Sequence, residues 1–358
     1  MPTIGDPARL ALKLAALGWH ILPLSAAGKR PLGNCPACVT QPGTYGHHPD
    51  ACPCLTDGGW CHGVRAATTD PATITAWWQR EPSAIPAAAA GPSGLVLIDI
   101  DNHGSSPPPD LATGLLPGID LAAEPLPRHL WDHPARYRSG RDTLHLLAQL
   151  RGGPRPWGLG PGHRPVSATT PTGGTHLWYA APAIDGLHQV LADPSGRHGL
   201  AWQVDLKASW SYGVAPGAAT SKGTYHITGG NLARPGCMPD WLAAEIRRVT
   251  APRPAPNRPL DVAVGDGRGP AAYLAAVITR GAARLVGMTD GRQRALSALA
   301  YHVGGLLRWS GVDAGQVTGQ LVDAGVTSGL PASLATRIVR RAIANGIERP
   351  VIPPGSRA

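Results

Sequence analysis

The run GPSGLVLIDIDNHG, residues 91–104, sets two acids either side of one isoleucine. Successive side chains of a strand point to opposite faces, so residues two apart share a face. Leu95 to Ile98 read as a buried strand, which puts Asp99 and Asp101 side by side at its end. Two carboxylates that close repel unless something positive lies between them. The turn-like DNHG offers a plainer reading, in which the strand has ended and both acids are solvated. What else the chain supplies decides between them. TPTGGTHLWY puts His176 in a strand behind a Gly-Gly turn, and QVDLKAS puts Asp205 near the end of another, with Lys207 on its face. Three carboxylates, a histidine and a lysine at sheet ends suit a divalent metal with a triphosphate. Hard Mg²⁺ takes a few carboxylate oxygens and completes its shell with substrate phosphates. Two such ions can activate a 3′-hydroxyl and stabilise a leaving pyrophosphate.

A second cluster is sulfur-rich. Five of the six cysteines fall in C-x2-C-x13-C-x-C-x6-C, from Cys35 to Cys61, with His62 adjoining and His47 and His48 between. Closely spaced Cys and His in a Gly/Pro-rich loop suit tetrahedral zinc. The alternative is a group of free surface thiols. Cys35 and Cys38 form a knuckle; Cys54 and Cys61 complete a set of four, with Cys52 or His62 as substitutes. A closed four-ligand site is structural, so no catalysis is assigned to it. Cys237 stands apart and reads as a packed thiol.

The elements that must position these residues are partly legible. IGDPARLALKLAALG reads as an amphipathic helix with Asp6 as cap, Pro7 in the first turn and Gly18 as stop. WHILPL follows as a strand, and GKRP as a turn carrying Lys29 and Arg30. TTDPATITAWWQREP is a helix capped by Asp70, opened by Pro71 and closed by Pro82. Residues 104–165 resist parsing, apart from a short helix at RDTLHLLAQLRGG. The expected organisation is a catalytic domain over 1–245 with a zinc loop at 33–63, a Pro-rich linker at 246–266, and a helical domain at 267–358. GRQRALSALAYHVGGLLRWSG and LPASLATRIVRRAIANGIER carry the helical patterns of that last part.

Composition bounds the partners. The 358 residues are 43% hydrophobic, which permits a sizeable core. No apolar run reaches membrane-spanning length, and the N-terminus lacks a basic leader with a cleavage pattern, so the expected location is the cytoplasm. Abundant Gly, Ala, Pro and Arg, no Phe and only four lysines point to GC-rich coding. The net charge of +9 is unevenly placed: residues 1–245 hold 17 Lys+Arg against 17 Asp+Glu, and residues 246–358 hold 15 against 6. A segment that basic fits a nucleic-acid surface, against the plainer reading of Arg-rich coding on a solvated face.

GLVLIDIDNHG, TPTGGTHLWY and WQVDLKA, in that order, resemble the three motifs of the archaeo-eukaryotic primase superfamily. Within it they resemble the bifunctional primase–polymerase domains of plasmid, phage and actinobacterial replication proteins. LALKLAALGWHILPLSAAGKRPL is similar to that domain's opening, CHGVRAATTDPATITAWWQREP to its zinc-loop exit and next helix, and YGVAPGAATSKGTYHI to its closing segment. The resemblance spans roughly residues 8–230. It implies an α/β (α+β) core of archaeo-eukaryotic primase type, with an RRM-like sheet and a zinc-binding loop, followed by a small all-α domain. It implies a DNA primase and polymerase that makes and extends primers on single-stranded DNA from NTPs or dNTPs, with catalytic Mg²⁺ or Mn²⁺ and structural Zn²⁺. By position, Asp99, Asp101 and Asp205 are then metal ligands, and His176 contacts the phosphates of the incoming nucleotide. Lys207 also faces the triphosphate, Thr172, Gly173 and Gly174 admit the nucleotide to the backbone, and Lys29 and Arg30 meet phosphate or template. The last 80 or so residues resemble a helical module that helps bind template. No G-x-x-x-x-G-K-[ST] occurs, so a separate replicative helicase is the expected partner. Two rival readings use the same acids: a catalytically silent replication or origin-binding protein, and a metal-dependent nuclease.

Overall fold

A computed structural model describes residues 6–35, 38–41, 44–45, 51–160, 162–181, 187, 199–250, 269–286, 288, 292–330 and 332–351. The chain divides into two compact units, 1–250 and 251–358.

In the first unit, helix α1 (Pro7–Ala15) begins at Asp6, whose carboxylate accepts from the Ala8 amide. Strand β1 (Ile21–Leu24) follows, then the short β2 (Val39–Gln41), β3 (Thr44–Tyr45) and α2 (Pro53–Thr56) of the cysteine segment. Helix α3 (Pro71–Arg80) is capped by Asp70, which accepts from the Thr73 amide. Next come β4 (Ile85–Ala89), β5 (Leu95–Ile100), α4 (Leu111–Gly114) and α5 (Gly140–Leu150), the last opened by a reciprocal Ser139–Asp142 cap. The chain then forms β6 (Val166–Thr169), β7 (Thr175–Ala180), β8 (Val204–Lys207), β9 (Tyr212–Val214), β10 (Ala219–Thr220), β11 (Gly223–Thr224), β12 (His226–Gly229) and α6 (Asp240–Thr250).

Five strands make one antiparallel sheet in the order β12-β6-β7-β5-β8, and β1-β4-β9 make a second. Strand β5 lies inside the larger sheet and is covered on both faces, so its apolar run does not alternate with polar residues. Val96, Ile98 and Ile100 join Leu177, Tyr179, Val204 and Leu206 in one core, closed by Leu144 and Leu147 of α5 and by Leu242 and Ile246 of α6. Leu95 and Leu97 join Trp178 and Val166 in the other, with α1, α3 and the smaller sheet.

The unparsed 104–165 stretch is the lid of the first core. Its Leu111, Leu115, Leu116, Ile119, Leu121, Trp131 and Tyr137 are buried there, from short helical turns that have no long period to recognise. Two expectations are corrected. Cys237 is exposed rather than packed; its amide donates to the Gly162 carbonyl. Residues 246–250 are helical rather than linker, because Ile246 and Val249 continue the buried face of α6. The rest of the expected linker, 251–266, lies outside the described residues, as do His47 and His48.

The second unit contains α7 (Pro270–Val286), α8 (Arg292–Ser310), α9 (Ala314–Thr327) and α10 (Ala332–Ile347) around a core of Leu274, Leu296, Val303, Leu306, Val317, Leu321 and Val339. Among the described residues, no helix is long and apolar enough to cross a membrane.

Leu147 is fully buried on α5, whereas Gln149 two residues on is exposed. Leu147→Ala should lower the unfolding free energy by roughly 2–5 kcal/mol in denaturant titration. Gln149→Ala should stay within about 0.5 kcal/mol of the parent.

Candidate functional site

Strand β5 pairs Asp99 with His176 of β7 on one side and with Asp205 of β8 on the other. Residues directly opposite in an antiparallel pair project to the same face. The three side chains therefore converge, with His176 Nε2 3.2 Å from Asp99 Oδ1. Lys207 stands two residues from Asp205 and shares its face; its Nζ lies 3.2 Å from Asp99 Oδ2 and 2.9 Å from Asp205 Oδ2. Asp101 lies just beyond the end of β5. Its amide donates to the Gln203 carbonyl at 2.8 Å, and its carbonyl accepts from the Gly140 amide at 3.0 Å. Backbone on both sides thus holds it, and Asp99 is mostly buried, so neither acid is a loose solvated turn residue.

The charges do not balance. Burial alone would raise the Asp99 pKa, but His176 and Lys207 outweigh it and hold the carboxyl well below its usual range. Burial lowers the Lys207 pKa, but Asp205 and Asp99 more than offset this and keep the ammonium charged. Burial, then the negative Asp99 and Asp205, push the Asp101 carboxyl up to about 6. Lys207 lies between two of the three carboxylates, and His103 Nε2 is 3.2 Å from Asp101 at the solvent side. A set of hard oxygen donors short of positive charge fits a divalent cation.

His176 is 4% exposed, and its Nδ1 has no hydrogen-bond partner among the described residues. Its ring lies 5.0 Å from that of Tyr225, whose hydroxyl accepts from Lys29 Nζ at 2.9 Å. Lys29 adopts a left-handed backbone (φ 52°) in the turn after β1, and its carbonyl accepts from the Tyr212 hydroxyl at 3.4 Å. Burial raises the Tyr212 pKa, against the pull of nearby Lys207 and Arg30. Tyr225, Tyr212 and Gln203 are the residues of this site that sequence reasoning missed; nothing in their local spacing marks them. Thr172, Gly173 and Gly174 form the β6–β7 turn at the same edge. The Thr170 hydroxyl accepts from the Gly174 amide, and a Cβ on Gly174 would fall 2.6 Å from the Ile100 carbonyl. Only glycine lets this turn lie against the end of the acid-bearing strand.

The cysteine segment converges as well. The sulfurs of Cys35, Cys38, Cys54 and Cys61 lie within 4.8 Å of one another, and Cys38, Cys52 and His62 form an overlapping group on the same criterion. Cys35 and Cys54 are 3.2 Å apart and Cys38 and Cys54 3.6 Å, and all are free thiols. Four thiolates at 2.3 Å around a tetrahedral zinc would be about 3.8 Å apart. The set therefore can hold a metal ion such as zinc. Buried Cys38, Cys52 and Cys61 form the core of this loop, which has almost no hydrocarbon of its own. The Trp77 indole of α3 ties it to the domain by donating to the Gly58 carbonyl.

A family model for the N-terminal domain of bifunctional DNA primase/polymerases matches residues 11–241, well over half of the 358. The chain belongs to this family. No curated protein matches it. The matched span of the primase/polymerase domain takes in the acids, His176, Lys207 and all six cysteines, and stops just inside α6. The helices of the second unit lie outside it.

Elemental analysis of primase/polymerase purified without chelator should find about one zinc per chain, the content of one closed site. Cys35→Ser and Cys61→Ser should each lose the metal and lower the melting temperature. Metal-free protein, or a disulfide within the segment, would refute the assignment.

Proposed function

We propose that the chain makes primers on single-stranded DNA and extends them by template-directed nucleotidyl transfer, with Asp99, Asp101 and Asp205 as ligands of two divalent metal ions. The observation that carries this reading is the register of β5, which puts Asp99 directly between His176 and Asp205. Mg²⁺ or Mn²⁺ bound there would lower the cost of deprotonating a primer 3′-hydroxyl and of releasing pyrophosphate.

The chain's own residues do the rest. Lys207 bridges Asp99 and Asp205, which offsets the repulsion of two close carboxylates and holds them in place. Its flexible stem lets the ammonium turn to a triphosphate once the acids have other cations to face. His176, with Nε2 3.2 Å from Asp99 Oδ1, has its Nε2–H at the metal face, where it can turn from the carboxylate to a phosphate oxygen. Gly173 and Gly174 bring the β6–β7 turn close against Ile100 and Asn102 beside the acids, and Lys29, steadied by Tyr225, adds positive charge nearby. A bare nuclease needs no triphosphate-facing cation, so Lys207 beside His176 favours synthesis. The setting that suits such a chain is replication of a plasmid, phage or other mobile element, with a separate helicase to unwind DNA.

The second unit is the proposed template grip. Helix α10 carries Arg337, Arg340 and Arg341 exposed, spaced to share a face, and α7 carries exposed Arg280 and Arg284 one turn apart.

Asp99→Ala or Asp101→Ala should reduce primer extension by roughly a thousandfold or more, the several kcal/mol that metal charge contributes in the transition state. Melting temperature and single-stranded DNA binding should be largely retained; near-normal extension by either variant would overturn the site. Removing residues 251–358 should cut de novo initiation far more than extension of a preformed primer, because initiation has no duplex to help hold the template. The truncation should also flatten the salt dependence of DNA binding, by about 0.7 log unit for each phosphate that the helices no longer neutralise. Equal slopes and equal initiation would exclude a template role for these helices.

A further inference from the structure

Ten of the eleven tryptophans are buried or half-buried, and Trp210 is the exception at 39% exposed. An indole left in water forfeits the burial that a ring of its size would otherwise contribute. Its setting is not that of a loose loop. Trp210 sits in the four-residue turn between β8 and β9, and every neighbour in that turn is tied down. The Ser209 carbonyl accepts from the Gly91 amide at 2.8 Å, the Ser211 carbonyl accepts from the Ala90 amide at 2.8 Å, and the Ser211 hydroxyl donates to the Ala208 carbonyl at 2.6 Å. Ser209 takes a left-handed backbone (φ 49°), and a Cβ on Gly91 would fall 2.5 Å from the Ser209 carbonyl, so the two turns interlock. The indole is thus held out by a rigid support.

One face of the ring is covered by Arg65, whose guanidinium carbon lies 3.9 Å from the ring centroid. Arg65 comes from the helical turn Gly63–Ala66 that leaves the cysteine segment. What remains exposed is an aromatic surface backed by a cation. That combination suits a nucleobase: the ring offers stacking area, and the guanidinium offsets phosphate charge. The position fits as well. Trp210 lies three residues beyond Lys207, so their Cα atoms are within about 11 Å. Two residues further on, the Tyr212 hydroxyl reaches the carbonyl of Lys29.

We infer that Trp210, backed by Arg65, is a stacking platform for an unpaired base of single-stranded nucleic acid, on the turn that follows Lys207 at the Gly91 end of β5. The inference rests on the primase reading above and goes beyond it by naming a strand-binding site away from the acids. Its occupant is a single strand rather than a duplex, because paired bases present their edges to a protein and keep their faces stacked on one another.

The test is fluorescence polarisation of a labelled oligo(dT) and of a duplex of equal length with the full chain. Trp210→Ala should weaken oligo(dT) binding roughly tenfold, the loss of one stacked base, and leave duplex binding and the salt slope unchanged. Trp210→Tyr should restore most of the affinity, and Trp210→Leu, which keeps apolar bulk without a ring, should not. If Trp210→Ala also lowers the melting temperature, the Tyr and Leu variants decide between a ring and mere bulk. Wild-type affinity in Trp210→Leu, or an equal loss on duplex, would overturn the platform while leaving primer extension and the primase reading intact. Failure of the unaltered chain to bind oligo(dT) at all would overturn both.

Discussion

The candidate site depends on the pairing of β5 with its two neighbours. Side chains alternate along a strand, so slipping β5 by one residue against β7 or β8 would turn Asp99 into the hydrophobic core and Ile98 or Ile100 out of it. Such a slip is prevented by the apolar partners that share the ladder. Val96, Ile98 and Ile100 fill one core while Leu95 and Leu97 fill the other, and Leu97 stands opposite Trp178 in β7. The burial that fixes the register is therefore what aligns Asp99 with His176 and Asp205. The charged residues contribute little to that choice and are positioned by it.

The same arrangement explains the electrostatics. The face that carries Leu97 and Trp178 is covered by the smaller sheet, and toward the end of β5 it gives way to Asp99, His176 and Asp205. Acids at the border of a core lose part of their hydration without losing access to ligand. Lys207 answers for two of them, and burial, with the negative Asp99 and Asp205 after it, raises Asp101. Such a cluster of carboxylates fits a divalent cation. It also explains why Asp101 is held by backbone at Gln203 and Gly140 rather than by a side-chain partner of opposite fixed charge.

The cysteine segment and the basic helices rest on different physics from the catalytic sheet. Among the described residues of the segment few apolar side chains are buried, so its sulfurs, which could hold a metal ion, take the place of a core. The second unit has an ordinary apolar core and an arginine-rich exterior, and α7 and α9 fill space that the strongest sequence patterns did not mark.

Local chemistry made much of this legible in the sequence. Asp6 before Pro7 and Asp70 before Pro71 announce two helix starts, because the carboxylate accepts from a free first-turn amide and the proline has no amide hydrogen to leave unpaired. The apolar run LVLI that ends in acids, and the Gly-Gly turn before His176, mark the strands and their polar ends. The cysteine spacing marks a loop able to gather thiols. Only the tertiary structure decided which residues meet. That Asp99 lies opposite both His176 and Asp205, that Tyr225 packs on His176, that the 104–165 stretch covers a sheet face, and that Cys237 is exposed all depend on the packing of distant segments. Hydrogen-bond geometry and periodicity act over a few residues and leave a trace in sequence. Register and burial are set by the whole domain, which no short stretch contains.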